Sequence, residues 1–292
     1  MLATIWRLHI KQEKHVKVED RCRFCVRERA AGMGWGVVPP ERDLDWDKYC
    51  QSVKKVNSSV RRFKEGVQSD DLVWTRDTHG KYLLGRIVGE WEYHGCDLYE
   101  VADIHSLRPC EWAEVGDLQE VPGKVLNAFR ASRTLQRIDD CGAALYSMDL
   151  FNRLSGQPVY TIPKEQIHFF SLFSPEDCED LVGIYLQTLG YIVHPSTCKS
   201  DLPKFEFVLK DRTGCYAAVQ VKTGGATIEI ADYESFDGRV FLFQTDGKYG
   251  GQVTKRTTCK LDPDDIKRFC IENLTLMPKT IQRWVEWSGS RS

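Results

Sequence analysis

The chain of 292 residues carries 40 Lys and Arg against 42 Asp and Glu, a formal net charge of -2, with 42% apolar and 28% charged residues. That composition excludes a disordered chain, and no apolar run approaches the ~18 residues of a membrane-spanning helix. With so little net charge, any nucleic-acid binding must rest on local basic patches. The length suits two domains, each with its own core. The 11 cysteines are scattered and odd in number, the usage of reduced thiols rather than of a disulfide framework. The N-terminus lacks the order of a secretory signal, so a cytoplasmic location is the expectation.

In chain order, IWRLHI (5–10) reads as a short strand. Cys22 and Cys25 form one C-x-x-C knuckle, half of a zinc site with no second pair at ligand spacing, so plain thiols are the simpler reading. Gly32, Gly34 and Gly36 around Trp35 point to tight backbone packing or close approach of a ligand. A polar helix is expected over 46–63. Its basic group, Lys54, Lys55, Arg61, Arg62 and Lys64, is either a solvated face or a set of phosphate contacts. DDLVWTR, YLLGRIVGEWEY and LYEVADIHSLRPCEW then read as strands with turns at 77–80 and 94–97, and their spacing suggests a small, strongly bent barrel. Val125, Leu126 and Phe129 have helical spacing, and TLQRI closes this part as a strand or helix end. The stretch 139–166, with Gly142, Gly156, Pro158 and Pro163, reads as a linker with some helix.

The second part, 167–292, opens with a helix. Ser174 suits its N-cap, Pro175 its first position and Gly190 its end, and Leu181, Val182, Tyr185, Leu186 and Leu189 form its apolar stripe. Glu179 lies at the margin of that stripe. YIVHPST is expected as a strand, followed by a hairpin over 201–224 that turns at 210–214. Along its second strand Ala218, Gln220 and Lys222 share one face, and on the first Glu206 points away from Phe205 and Phe207. A carboxylate, an amide and an ammonium therefore converge, a set able to hold a divalent metal and polarise a phosphate. ATIEIA and RVFLFQT follow as strands, and helices start at Asp262-Pro263 and in KTIQRWVEWSG. Helix and strand alternate, as in an α/β domain.

The order of the Glu179 helix, LGYIV, FEFVL and AVQVKTG resembles the PD-(D/E)XK nuclease superfamily, and within it the Mrr-type restriction endonucleases. The resemblance covers about 125 C-terminal residues. It implies a restriction-endonuclease-like α/β fold with a mixed central sheet, and Glu179, Glu206, Gln220 and Lys222 as catalytic residues. Mg²⁺ or Mn²⁺ would sit on Glu206 and on the backbone carbonyl of Gln220 or Val221. The chain departs from its relatives in having Glu206 where they carry aspartate in a Gly-rich setting.

Residues 1–138, through GMGWG, QSDDLVWTR, YLLGRIVGEWEY and RPCEW, resemble the EVE modules of the PUA-like fold, an α+β small β-barrel. The likeness implies capture of a flipped, modified base on aromatic rings, for which Trp35, Trp91 and Tyr93 are the candidates. Stacking returns about 1–3 kcal/mol against the few that extrusion costs. Tryptophans in a small barrel are also ordinary core.

The resulting expectation is a modification-dependent DNA endonuclease of a bacterial defence system, acting on double-stranded DNA as a homodimer and needing no membrane. The alternative is an inactive modified-DNA-binding protein whose nuclease fold serves as a binding or dimerisation platform. An RNA-directed nuclease is a third reading. No histidine sits in a nucleophile motif, and VKTGG lacks the order of a phosphate loop.

Overall fold

A computed structural model describes residues 2–13, 15–37, 42–116, 118–164, 167–194, 197 and 204–289. The chain divides into two compact units, residues 1–164 and 165–292.

Unit 1 contains β1 (Ile5–Leu8), α1 (Arg21–Arg27), β2 (Ala30–Met33), β3 (Asp43–Leu44), α2 (Trp46–Ser52), α3 (Ser58–Gly66), β4 (Leu72–Arg76), β5 (Tyr82–Ile87), β6 (Glu92–His94), α4 (Asp97–Ala102), β7 (Ser106–Val115), α5 (Gly123–Ala128), β8 (Leu135–Ile138) and α6 (Cys141–Ser155). The strands run in the order β3-β6-β7-β5-β4-β1-β8, with β2 also on β7. The expected barrel is therefore not closed among the described residues, because β3 and β8 end the path as separate edges. The bend comes from β7, whose first half pairs with β2 and β6 and whose second half pairs with β5. Gly85 lets it pack closely there, since a Cβ at that position would lie 2.7 Å from the Trp112 ring.

Several elements differ from the sequence expectation. The polar helix is two helices, broken at 53–57. The strand-like LYEVADIHSLRPCEW begins as α4, because Tyr99 and Ala102, three apart, turn together to the core at helical spacing. The expected linker belongs to unit 1: α6 buries Leu145, Tyr146, Met148, Leu150 and Phe151, and Ser147 Oγ accepts from Trp74 Nε1 at 3.0 Å.

Unit 2 contains α7 (Pro175–Thr188), β9 (Ile192–Val193), β10 (Phe207–Lys210), β11 (Tyr216–Lys222), β12 (Ile228–Glu229), β13 (Arg239–Gln244), β14 (Tyr249–Gly250), β15 (Thr258–Leu261), α8 (Pro263–Glu272) and α9 (Lys279–Gly289). Ser174 Oγ accepts from Asp177 N at 3.0 Å while Asp177 Oδ2 accepts from Ser174 N at 2.8 Å, a reciprocal cap that fixes where α7 starts. Gly190, at φ +92°, lets the chain leave the helix. The sheet is mixed, in the order β15-β13-β11-β10-β9, with β9, β10 and β11 antiparallel and β11, β13 and β15 parallel.

Each face of this sheet has its own cover. Phe207, Val219, Phe241 and Phe243 share one face; a Cβ on Gly183 of α7 would lie 3.7 Å from Phe207 Cζ, and Phe170 packs on Phe243. On the other face Val240 and Leu242 join Ile228 and Ile230 in a small core flanked by Phe205, Tyr233, Phe236 and Tyr249. Of the hairpin expected over 201–224, residues 201–203 lie outside the described residues, as do 195–196 of the YIVHPST strand.

Candidate functional site

Glu206 precedes β10 and continues its ladder, donating from its backbone N to Val219 O at 2.9 Å, which sets it opposite Gln220 on β11. The two side chains meet: Gln220 Nε2 donates to Glu206 Oε1 at 2.6 Å and to Val221 O at 3.0 Å. Lys222 Nζ lies 3.6 Å from the same Glu206 oxygen. Gln220 is buried at 2% exposure, whereas the side chains of Lys222 and Glu206 are 42% and 29% exposed, so the cluster opens to solvent on its lysine side. An ion pair this exposed contributes only ~0–1 kcal/mol, so the approach of Lys222 to Glu206 adds little to stability.

Glu179 stands apart from these three. It lies one helical turn before Gly183 on α7, over the sheet face that carries Phe207, while Glu206, the neighbour of Phe207 along the strand, points to the opposite face. It is half-buried and has partners of its own.

Hard cations take oxygen ligands. The Glu206 carboxylate and the Val221 carbonyl converge on one point, filled here by the Gln220 amide nitrogen, whose place between two acceptors fixes which end of the amide it is. Turning that amide over would present a third oxygen, so the residues fit an ion held by Glu206, Gln220 and the Val221 carbonyl, with water completing the shell. Among the described residues no group of three or more His, Cys, Asp or Glu side chains forms a metal cage by itself.

Sequence reasoning missed what holds this corner. Gln244 is fully buried at the end of β13, opposite Lys222. Its Nε2 donates to Gly224 O at 2.7 Å and Ala226 O at 2.9 Å, and its Oε1 accepts from Asp246 N and Lys248 N. Thr245 Oγ1 accepts from Gly224 N at 3.0 Å. The loop after Lys222 is thus tied to the next strand. A glutamine closing the apolar run RVFLF was the available signal, because a buried amide has to find partners.

In unit 1 the three aromatic candidates separate. Trp91 and Tyr93 are core residues, 7% and 3% exposed; Trp91 Nε1 donates to Ser106 Oγ, Tyr93 Oη accepts from Val37 N, and both rings pack on Tyr49. They alternate with the exposed Glu92, and the side they share looks inward, where large aromatic area is best buried. Trp35 differs: it is 39% exposed, it has φ +67°, and it lines a cavity of about 440 Å³.

The glycines around Trp35 explain themselves. A Cβ at Gly32 would lie 2.6 Å from Ile104 Cγ2, one at Gly34 2.8 Å from Asp103 Oδ2, and one at Gly36 2.7 Å from the His105 ring. The segment is therefore pressed along 103–105, and Asp103 enters the same cavity. Arg21, 5% exposed, donates from Nη2 to Asp103 Oδ2 at 3.0 Å, from the same nitrogen to Asp103 O, from Nε to Ala102 O and from Nη1 to Lys11 O.

Of the basic group, Lys54, Lys55, Arg61 and Arg62 are exposed and Lys64 is half-buried. None of the five forms an ion pair with another described residue. The C-x-x-C thiols are buried inside α1 and its core. Burial, with Asp20 nearby, pushes Cys22 up to about 12, and burial raises Cys25 as well, the reverse of what a metal-binding thiolate requires. No family model, curated protein or solved structure matches this chain.

Proposed function

We propose that the protein is a metal-dependent endonuclease that acts on DNA carrying modified bases, with unit 2 hydrolysing the backbone and unit 1 reading the base. The observation that carries this reading is the convergence of Glu206, Gln220 and Lys222 at one corner of a mixed sheet, at the carboxyl end of β11 where open α/β sheets place their ligands. The likeness of FEFVL and AVQVKTG to Mrr-type endonucleases agrees with it.

In this reading Glu206 and the Val221 carbonyl, with the Gln220 amide turned over, would hold Mg²⁺ or Mn²⁺. The ion, when bound, supplies Lewis acidity toward a phosphate oxygen and lowers the pKa of a coordinated water. Lys222, free to move on its solvent side, places a positive charge where negative charge develops as the P–O bond breaks. Gln244 and Thr245 keep the end of β11 in position. Trp35 offers a ring for an extruded base, and Lys54, Lys55, Arg61 and Arg62 are available to phosphates. Cutting both strands with one site per chain calls for a homodimer.

The test is cleavage of duplex DNAs with and without modified cytosines, in Mg²⁺, Mn²⁺ and EDTA. Metal-dependent cutting of the modified duplex is expected. Tight, EDTA-resistant binding with no cutting under either metal would replace this reading with that of a modified-DNA-binding protein built on a nuclease fold.

A further inference from the structure

The cavity beside Trp35 has a chemistry of its own. Its volume, about 440 Å³, lies in the range of small-ligand sites. Trp35 reaches it from a left-handed backbone conformation that a tryptophan seldom adopts, and its carbonyl accepts from Tyr49 Oη at 3.1 Å, which holds the turn. A large ring kept exposed against both backbone preference and burial is the kind of outlier from which a binding role is argued.

Asp103 is one of the polar residues that line the same cavity. Its Oδ2 is engaged by Arg21, while Oδ1 is 3.9 Å from its nearest ion-pair partner, His105 Nε2, beyond hydrogen-bond reach. The side chain is 43% exposed although Arg21 behind it is buried. Arg21 donates to Asp103, Ala102 and Lys11, so the guanidinium positions the carboxylate and these bonds are not offered to a ligand. Gly34 is required for this placement, since a Cβ would meet both carboxylate oxygens at 2.8 and 2.9 Å. Beside His9, Lys11 and Glu13, which also line it, the cavity thus offers Trp35 and one carboxylate oxygen that Arg21 does not engage. A carboxylate paired with arginine accepts hydrogen bonds, and it repels phosphates and carbonyl-edged rings.

We infer that this pocket takes a base with an exocyclic amino group, stacked on Trp35 and donating that amino group to Asp103 Oδ1. The inference rests on the proposed base-reading role of unit 1 and narrows its substrate class to amino-bearing bases as against thymine or uracil. In a keto base the ring N–H is flanked by carbonyl oxygens, so approach to the same oxygen brings like partial charges together. Asp103 determines specificity here, and Arg21 positions it.

The experiment measures binding of the full chain in EDTA, so that no strand is cut, to duplexes carrying a single 5-methylcytosine or a single thymine opposite an abasic site. The two bases share ring and methyl group, differ in the amino-to-keto exchange, and need no partner broken. The 5-methylcytosine duplex should bind about tenfold or more tightly, as one good base-edge contact provides. Asp103→Asn should shrink that preference to about twofold or less, because an amide can present its donor to a keto group instead. Trp35→Ala should weaken both complexes. Equal binding of the two duplexes by the unmodified protein, with Trp35→Ala still weakening both, overturns the amino-base inference and leaves the reader role standing. A preference that survives in a folded Asp103→Asn overturns the role of Asp103. Absence of binding to either duplex, or binding indifferent to Trp35→Ala, overturns the reader role itself, without bearing on cleavage.

Discussion

Gln220 decides how the proposed active site behaves without metal. Its amide nitrogen bridges the two oxygens an ion would use, so the corner is satisfied when empty of charge beyond Glu206 and Lys222. Gln220→Glu replaces that bridge with a second, buried carboxylate 2.6 Å from the first. Like charges at this distance cost several kcal/mol unless one is protonated or a cation intervenes. The variant should therefore melt well below the unmodified protein in EDTA and recover most of the difference on addition of Mg²⁺ or Mn²⁺; a melting temperature indifferent to metal would remove this corner as an ion site. His9 is a second residue with a measurable signature. Burial first, then Arg7, Lys11 and Arg76, hold its imidazole below the ordinary value, and its Nδ1 is buried with no hydrogen-bond partner among the described residues. The unfolded chain thus takes up this proton at a higher pH than the folded one. Stability is at its full value above the ordinary histidine range and falls as pH drops through about 6.5 toward the lowered folded value. Denaturant unfolding at about pH 7.5 and about pH 5.5 should show that loss, and His9→Gln should remove part of it.

Among the elements, α6 is where sequence reading and structure differ most. The stretch 139–166 reads as a linker from sequence because its glycines and prolines sit toward the ends and its helix is apolar almost all round, which leaves no amphipathic period to read. In the structure the same helix buries Leu145, Tyr146, Met148, Leu150 and Phe151 and gives Trp74 its hydrogen-bond acceptor. At roughly 1.5–3 kcal/mol for each large side chain, its removal exceeds the margin by which a domain is stable. A fragment ending at 138 should fail to show a cooperative melt, and one ending at 164 should show one; a cooperative 1–138 fragment would make α6 dispensable. Elements with local chemistry were legible. Ser174-Pro175 and Asp262-Pro263 announced α7 and α8 through their caps, and period-two alternation announced the β10-β11 hairpin with Glu206, Gln220 and Lys222 on one side. The cavity beside Trp35 was half legible. Trp35 was marked by its glycines, whereas Asp103 and Arg21 are 82 residues apart and meet only through the fold. The inward aim of Trp91 and Tyr93 was likewise invisible, since alternation says which residues share a face and not which face is covered.

At the scale of the whole molecule, the charge balance bears on how the proposed DNA binding would work. A net charge of -2 gives no general attraction to phosphate, so the proposed DNA contact would come from exposed clusters such as Lys54, Lys55, Arg61 and Arg62. No helix among the described residues is long and apolar enough to cross a membrane. Each unit contributes one candidate arrangement: the exposed Trp35 and Asp103 lining one cavity in the first, and Glu206, Gln220 and Lys222 in the second. The central claim is that the second arrangement breaks phosphodiester bonds. It is tested most directly by single-turnover cleavage of a modified duplex in Mg²⁺ by the unmodified protein and by Lys222→Ala, with the fold of the variant verified by its melting temperature. Removal of one charge-stabilising group should slow cutting by about 10²-fold or more while leaving DNA affinity within a few fold. A folded Lys222→Ala protein that cuts at the unmodified rate would contradict the assignment.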